Sequence, residues 1–160
     1  MLSRIWAVAL ACLFWSLSPA ISSAATLFPG AAPTNIGIEV DHLAPCPDSP
    51  NCVVSQGGDA DHSIDPITYT GERQAARKAL EEVLGVVPRT KIVEATDSYI
   101  HAESSSRLLG FVDDVEFYFT ANESTIQLRS ASRLGESDLG VNQRRLEQIR
   151  LALQELGVAE

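Results

Sequence analysis

Residues Phe111 to Arg145 read FVDDVEFYFTANESTIQLRSASRLGESDLGVNQRR, and this stretch decides the fold. Val115, Phe117 and Phe119 alternate with Glu116, Tyr118 and Thr120, the period of two that marks a strand. After Ala121-Asn122-Glu123-Ser124 the alternation resumes, with Ile126, Leu128 and Ser130 against Gln127 and Arg129. A turn centred on Asn122-Glu123 pairs Phe119 with Ile126, Phe117 with Leu128 and Glu116 with Arg129. The apolar pairs then share one face and the ion pair takes the other. A slip of one residue would mix the two, so the pattern itself selects the register.

A helix is expected after this hairpin. Leu139, Leu146, Ile149, Leu153 and Leu156 fall on one stripe, with Ser137 or Asp138 as N-cap and Gly157 as stop. Asn142 sits on the same stripe, one turn before Leu146. An amide buried there without partners costs about 1–3 kcal/mol. The nearest partners in sequence are the Ser and Arg side chains that precede the helix.

Upstream, Ile67 to Tyr69 reads as a short strand. Thr70 is placed to cap a helix with Ala76, Leu80, Val83 and Leu84 on one face, ended by Gly85 and Pro88. Lys91 to Ala95 and Tyr99 to Ser104 read as two strands around Thr96-Asp97-Ser98. His101 shares a face with Tyr99 and Glu103 and reads as a surface or cross-strand residue. The four central strands have no crossover helices between them, which disfavours a parallel sheet. The fold class is therefore α+β: an antiparallel sheet of about four to five strands with two helices packed on one face.

The ends of the chain bear on its location. Residues 1–25 carry one early charge, Arg4, an apolar run from Ile5 to Leu17, then Pro19 and small residues. That is the pattern of a secretory signal peptide cleaved near Ala24 or Ala25. The run is about 13 residues, short of the roughly 20 that span a bilayer, so no stable span is expected after cleavage. Residues 26–41 lack periodicity and read as an arm or linker, and 42–160 as a single domain. Expected locations are the periplasm, the thylakoid lumen or the extracellular space. Without residues 1–25, the balance is 11 basic against 21 acidic residues, net −10 with neutral His. Such a surface argues against nucleic acid and anionic membranes as partners.

Cys46 and Cys52 are the cysteines outside the leader, with Pro47 and Pro50 turning the chain between them. In an exported protein a disulfide is the default. A zinc site with His42 and His62 is the alternative, although the C-x5-C spacing is wider than usual. Asp59, Asp61, Ser63 and Asp65 recur at every second position, as in a calcium loop. Ile64 stands where an EF-hand needs Gly, and Thr70 where it needs Glu, so a solvated polar loop is expected.

Two blocks resemble a known family. Phe111-Val112-Asp113-Asp114-Val115-Glu116-Phe117, then Arg129-Ser130-Ala131-Ser132-Arg133, Gly135, Ser137-Asp138-Leu139-Gly140 and Asn142 are similar to the signature of the domain of unknown function 1499 family. Cys46-Pro47-Asp48-Ser49-Pro50-Asn51-Cys52 is similar to that family's N-terminal mark. The likeness runs from Gly37 to Leu156. It implies no activity, since the family name records none, and no catalytic residue carries over.

Function must then be read from the polar cluster. Arg129, Arg133 and Arg145, with Ser130, Ser132, Asn142 and Asp138 at the helix start, suit a carboxylate or phosphate. Asp113 and Asp114 would orient the arginines or meet a ligand hydroxyl. The competing reading is a salt-bridge and capping network that fixes the strand-to-helix corner. Arg133 lies past the strand, so it is expected to be reachable by ligand and dispensable for stability. Two further classes stand beside a small-anion binding module. One is an assembly or scaffold protein with a protein partner. The other is a hydrolase using the Asp, Arg and Ser groups. No G-x-S-x-G, phosphate-binding Gly loop or H-E-x-x-H occurs, so no catalytic residue, metal or cofactor is assigned. Asp113 and Asp114 point to opposite faces of a regular strand, which denies them a shared bond.

Overall fold

The computed structural model describes residues 27–160. The expected signal peptide and its cleavage point lie outside the described residues. Ten elements follow in order: β1 (Ile38–Glu39), β2 (His42–Leu43), β3 (Cys52–Val54), β4 (Ile67–Thr68), α1 (Arg73–Val86), β5 (Thr90–Ala95), β6 (Tyr99–Ser105), β7 (Val112–Phe119), β8 (Thr125–Ser132) and α2 (Val141–Glu155). The fold is α+β. Six strands form the main sheet in the order β3-β8-β7-β6-β5, with β4 also on β8. Every pairing in it is antiparallel. β1 and β2 form a separate two-stranded sheet.

The hairpin register is the one the alternation demands. Phe119 pairs with Ile126, Phe117 with Leu128 and Glu116 with Arg129. Val115, Phe117, Phe119, Ile126 and Leu128 enter one buried cluster with Ala76, Leu80, Val83 and Leu84 of α1 and Leu146, Ile149 and Leu153 of α2. Burying each large side chain of this kind stabilises the fold by about 1.5–3 kcal/mol.

Four local expectations need correction. α1 begins at Arg73 and runs through Gly85 to Val86. Thr70 does not cap it; its hydroxyl donates to the carbonyls of Gly157 and Val158. α2 starts two residues after Leu139, which takes a left-handed φ of 55° and is exposed. Leu156 is also exposed, at the helix end, so the buried stripe is Asn142, Leu146, Ile149 and Leu153. The sequence reading also lacked β3, whose three residues include Cys52 and lie too close to the prolines to show a period.

The second face of the sheet is built differently. Alternation places Tyr99, His101 and Glu103 of β6 beside Asp114, Glu116 and Tyr118 of β7 and Arg129 of β8. The segment from Leu27 to Pro47 covers this polar face. Ile36 and Leu43 pack on Tyr99 and Tyr118. The Tyr118 hydroxyl donates to Asp41 at 3.0 Å, and the Leu43 amide donates to Gln56 at 3.0 Å. Cys46 and Cys52 form a disulfide, with Cα atoms 5.6 Å apart, that ties the covering segment to β3. Their thiolates are therefore not available to a zinc ion. Among the described residues no helix is long and apolar enough to cross a membrane.

Candidate functional site

Asp113 and Asp114 divide the polar cluster in two, because neighbours in a strand face opposite ways. Asp113 turns to the helices. It accepts a 2.6 Å bond from Arg145 Nη2. Arg145 Nη1 reaches Asn142 Oδ1 at 2.6 Å and Ser130 Oγ at 3.2 Å. Asn142 is fully buried and uses its whole amide. Its oxygen accepts from Ser130 Oγ and Arg145, and its Nδ2 donates to the Asn51 carbonyl at 2.9 Å and to Ser132 Oγ at 3.1 Å. Asp138 completes the corner: its carboxylate accepts the Asn142 amide at 2.6 Å and the Gly140 amide at 2.9 Å. Asp138 is thus the capping side chain, although Gly140 occupies the cap position in a left-handed conformation.

On this side the groups satisfy one another. Asn142→Leu is expected to lower stability by about 1–3 kcal/mol, because Ser130, Ser132, Arg145 and the Asn51 carbonyl lose their shared partner. Urea melts measure it; a loss under about 0.5 kcal/mol, the range of neutral surface changes, would refute it.

Asp114 turns to the covering segment and is 1% exposed at its side chain. Arg133 grips it with Nε to Oδ2 at 2.8 Å and Nη2 to Oδ1 at 2.7 Å. The same guanidinium reaches Glu103. His101 Nε2 stands 2.9 Å from Asp114 Oδ1. Burial alone would raise the Asp114 carboxyl, but the hydrogen bonds and charges of Arg133 and His101 outweigh it and hold it below the ordinary value. The hydrogen bond to Asp114 raises the Arg133 guanidinium above its ordinary value. His101 is buried rather than at the surface, and Arg133 is 7% exposed at its side chain rather than freely reachable.

Glu116 lies deeper and is fully buried. Its Oε2 accepts from Arg129 Nη1 at 2.7 Å, and its Oε1 from the Tyr99 hydroxyl at 2.7 Å and the Gly37 amide at 2.9 Å. Burial, reinforced by the Glu116 charge, raises the Tyr99 phenol far above its ordinary value, so Tyr99 stays a donor.

A cleft of about 640 Å³ opens between the covering segment and this face. Asp114, Arg129, Ser132 and Arg133 form one wall, and Ala31 to Asn35 with Pro45 to Pro47 the other. Gly30 seats the segment at its rim: φ is +71°, and a Cβ there would stand 2.7 Å from Arg133 Cβ. Arg129 is 3% exposed, and its Nε is buried without an acceptor.

The candidate residues thus separate. Asp114, Arg129 and Arg133 line the cleft, while Ser130, Asp138, Asn142, Arg145 and Asp113 knit the helix corner; Ser132 borders the cleft but turns its hydroxyl to Asn142. Sequence reasoning missed Tyr99, Glu103, His101 and Gly37 as parts of the charged layer. The signal was two adjacent strands that both alternate polar with apolar residues. Among the described residues no group of three His, Cys, Asp or Glu is placed to hold a metal. In the loop from Gly57 to Asp65, Asp59 Oδ1 lies 2.7 Å from His62 Nδ1 and is turned to that ring.

Neither a curated protein nor a solved structure matches the chain. The family model described as "Protein of unknown function (DUF1499)" matches residues 42–153, and the chain belongs to that family.

Proposed function

We propose that this protein is an exported binding module for a small anionic ligand, held in the cleft between the covering segment and the charged face of the sheet. One observation carries the reading: Arg129 is buried at the cleft wall with its Nε lacking an acceptor. Leaving a buried donor unpaired costs about 1–3 kcal/mol, which a ligand oxygen would recover. Glu116 holds Nη1 of Arg129, so the guanidinium cannot turn its Nε away. Because Nε is closed to solvent, the covering segment must shift to bring a carboxylate onto that edge, where it takes up the free donor. The disulfide supports export, since such bonds persist in oxidising compartments. The carboxylates at the cleft are already bound to arginines, which leaves no free acid–base pair and removes support from the hydrolase alternative.

The test is a set of thermal melts with acetate, succinate and citrate on the wild type and on Arg129→Lys. The substitution keeps a charge beside Glu116 and removes the Nε edge. Wild type should gain several degrees of melting temperature at saturating carboxylate, and the variant should gain none. If no carboxylate shifts the wild type, or both proteins shift equally, the reading is wrong.

A second reading has its own observation. Leu27, Phe28, Leu108, Leu109, Phe111 and Leu134 are exposed. Phe28 and Phe111 pack with tilted rings, centres 6.0 Å apart, and the Phe28 amide donates to the Leu109 carbonyl. Gly30 brings the segment against Leu134. This apolar patch beside the cleft suits an assembly role with a protein partner.

A further inference from the structure

The helix side of the sheet carries a second cleft, of about 440 Å³, which the network around Asn142 does not fill. Its walls include Arg89, Arg144, Arg145 and Asp113, with Ser104 to Ser106 between them and Val87, Pro88 and Val141 on its apolar surface. Three guanidiniums against one carboxylate give the lining a formal charge of +2, in a chain whose net charge is −9.

The donors are also unevenly spent. Arg145 is committed to Asp113, Asn142 and Ser130. Arg89 uses its Nε on the Ser105 carbonyl at 3.1 Å, and the Ser105 amide donates back to the Arg89 carbonyl at 3.0 Å. That two-way tie fixes the stem of Arg89, whose Nη groups have no partner among the described residues. Arg144 uses Nη1 on the Leu139 carbonyl at 2.8 Å, with Nε and Nη2 left over. Ser106 Oγ accepts the Phe111 amide at 3.0 Å, which leaves its proton to give. The cleft therefore offers unspent donors beside an apolar surface, its one carboxylate, Asp113, being bound to Arg145. A doubly charged, acceptor-rich group on an apolar body matches both features.

We propose that this cleft binds an organic phosphate monoester, its dianion between Arg89 and Arg144 and its apolar body against Val87, Pro88 and Val141. The site is separate from the Arg129 cleft and does not depend on it. Nor does it use the amides at the start of α2, where Asp138 already takes that of Asn142.

The probes are phenyl phosphate, benzoate and inorganic phosphate, titrated calorimetrically at about pH 8, above the second ionisation near 6. The proteins are the wild type, the double variant Arg89→Ala/Arg144→Ala, and Arg129→Lys as the control for the other cleft. Arg89 and Arg144 are exposed, so the double variant should melt like the wild type. Phenyl phosphate should bind the wild type saturably, and in Arg129→Lys more tightly than either other probe. Its affinity should fall at least about tenfold in the double variant and hold within about twofold in Arg129→Lys. The proposal is overturned if phenyl phosphate does not saturate, if benzoate binds Arg129→Lys as tightly as phenyl phosphate does, or if the double variant binds phenyl phosphate like the wild type. Loss of binding in Arg129→Lys alone would assign the anion to the other cleft and also overturn it.

Discussion

Arg133→Ala is expected to destabilise the protein by about 3–5 kcal/mol at neutral pH, the range for removing one partner of a buried ion pair. The sequence pointed the other way, since Arg133 follows β8 and reads as a loop residue free to meet ligand. In the structure its guanidinium closes over Asp114 with two bonds, at 2.8 and 2.7 Å, and Asp114 is 1% exposed. Without Arg133, only His101 remains beside a carboxylate that is 1% exposed in the native fold. Acid titration gives an independent check. The Asp114 pKa is lowered in the folded state, so its contribution is complete above the unfolded value near 4 and is lost as pH falls through the folded value. In Arg133→Ala burial is opposed by His101 alone, and the acid transition should move to higher pH. Urea melts from pH 8 down to 3 on both proteins measure both effects. A neutral-pH loss under about 1 kcal/mol, with an unmoved acid limb, would mean that solvent reaches Asp114 after all.

The same residue shows what the sequence could and could not say. The register of the β7–β8 hairpin was legible because a period of two admits one alignment that keeps Phe117 and Phe119 on the same side as Leu128 and Ile126. Half of the partners of Asn142 were legible for a similar reason: a polar residue on an apolar stripe must be met, and Ser130 and Ser132 lay just before the helix. Arg145 and the Asn51 carbonyl were not foreseen, and Arg129 and Arg133 turn instead to Glu116 and Asp114 on the other face. The cover over the second face was not legible. Residues 27–47 have no periodicity, because they attach through single hydrogen bonds, a few apolar contacts and one disulfide rather than through a regular element. Alternation in β7 marked Asp114 and Glu116 as the outer face. Only the covering segment turns that outer face into a buried charged layer, and so turns Arg133 and His101 from surface residues into interior ones. Leu139 failed for a local reason: Asp138 draws the amides of Gly140 and Asn142 to itself, which puts Leu139 in a left-handed turn outside the helix.

Glu116 is where the covering segment and the sheet share one group, and its removal should have the widest effect. Glu116→Ala is expected to lower stability by about 3–5 kcal/mol, because Arg129 would remain 3% exposed with no acceptor on either Nη1 or Nε. The Tyr99 hydroxyl and the Gly37 amide lose their acceptor in the same step. Gly37 lies in the covering segment, so the loss should spread from the sheet into that segment. Hydrogen exchange at Gly37 and Ile36 should accelerate by at least about tenfold more than global destabilisation predicts. Glu116→Gln separates the two roles. Its amide oxygen can still accept from the Gly37 amide or Tyr99, while the charge facing Arg129 is gone. The Gln variant should therefore lose stability yet keep much of the protection at Gly37. If both variants lose stability while exchange at Gly37 follows only the global change, the Gly37 bond contributes nothing to seating the segment. The disulfide and the contacts of Ile36 and Leu43 would then hold it over the cleft. If neither variant loses more than about 1 kcal/mol, Arg129 must find other acceptors once Glu116 is gone. It would then not be the fixed donor that the carboxylate reading requires.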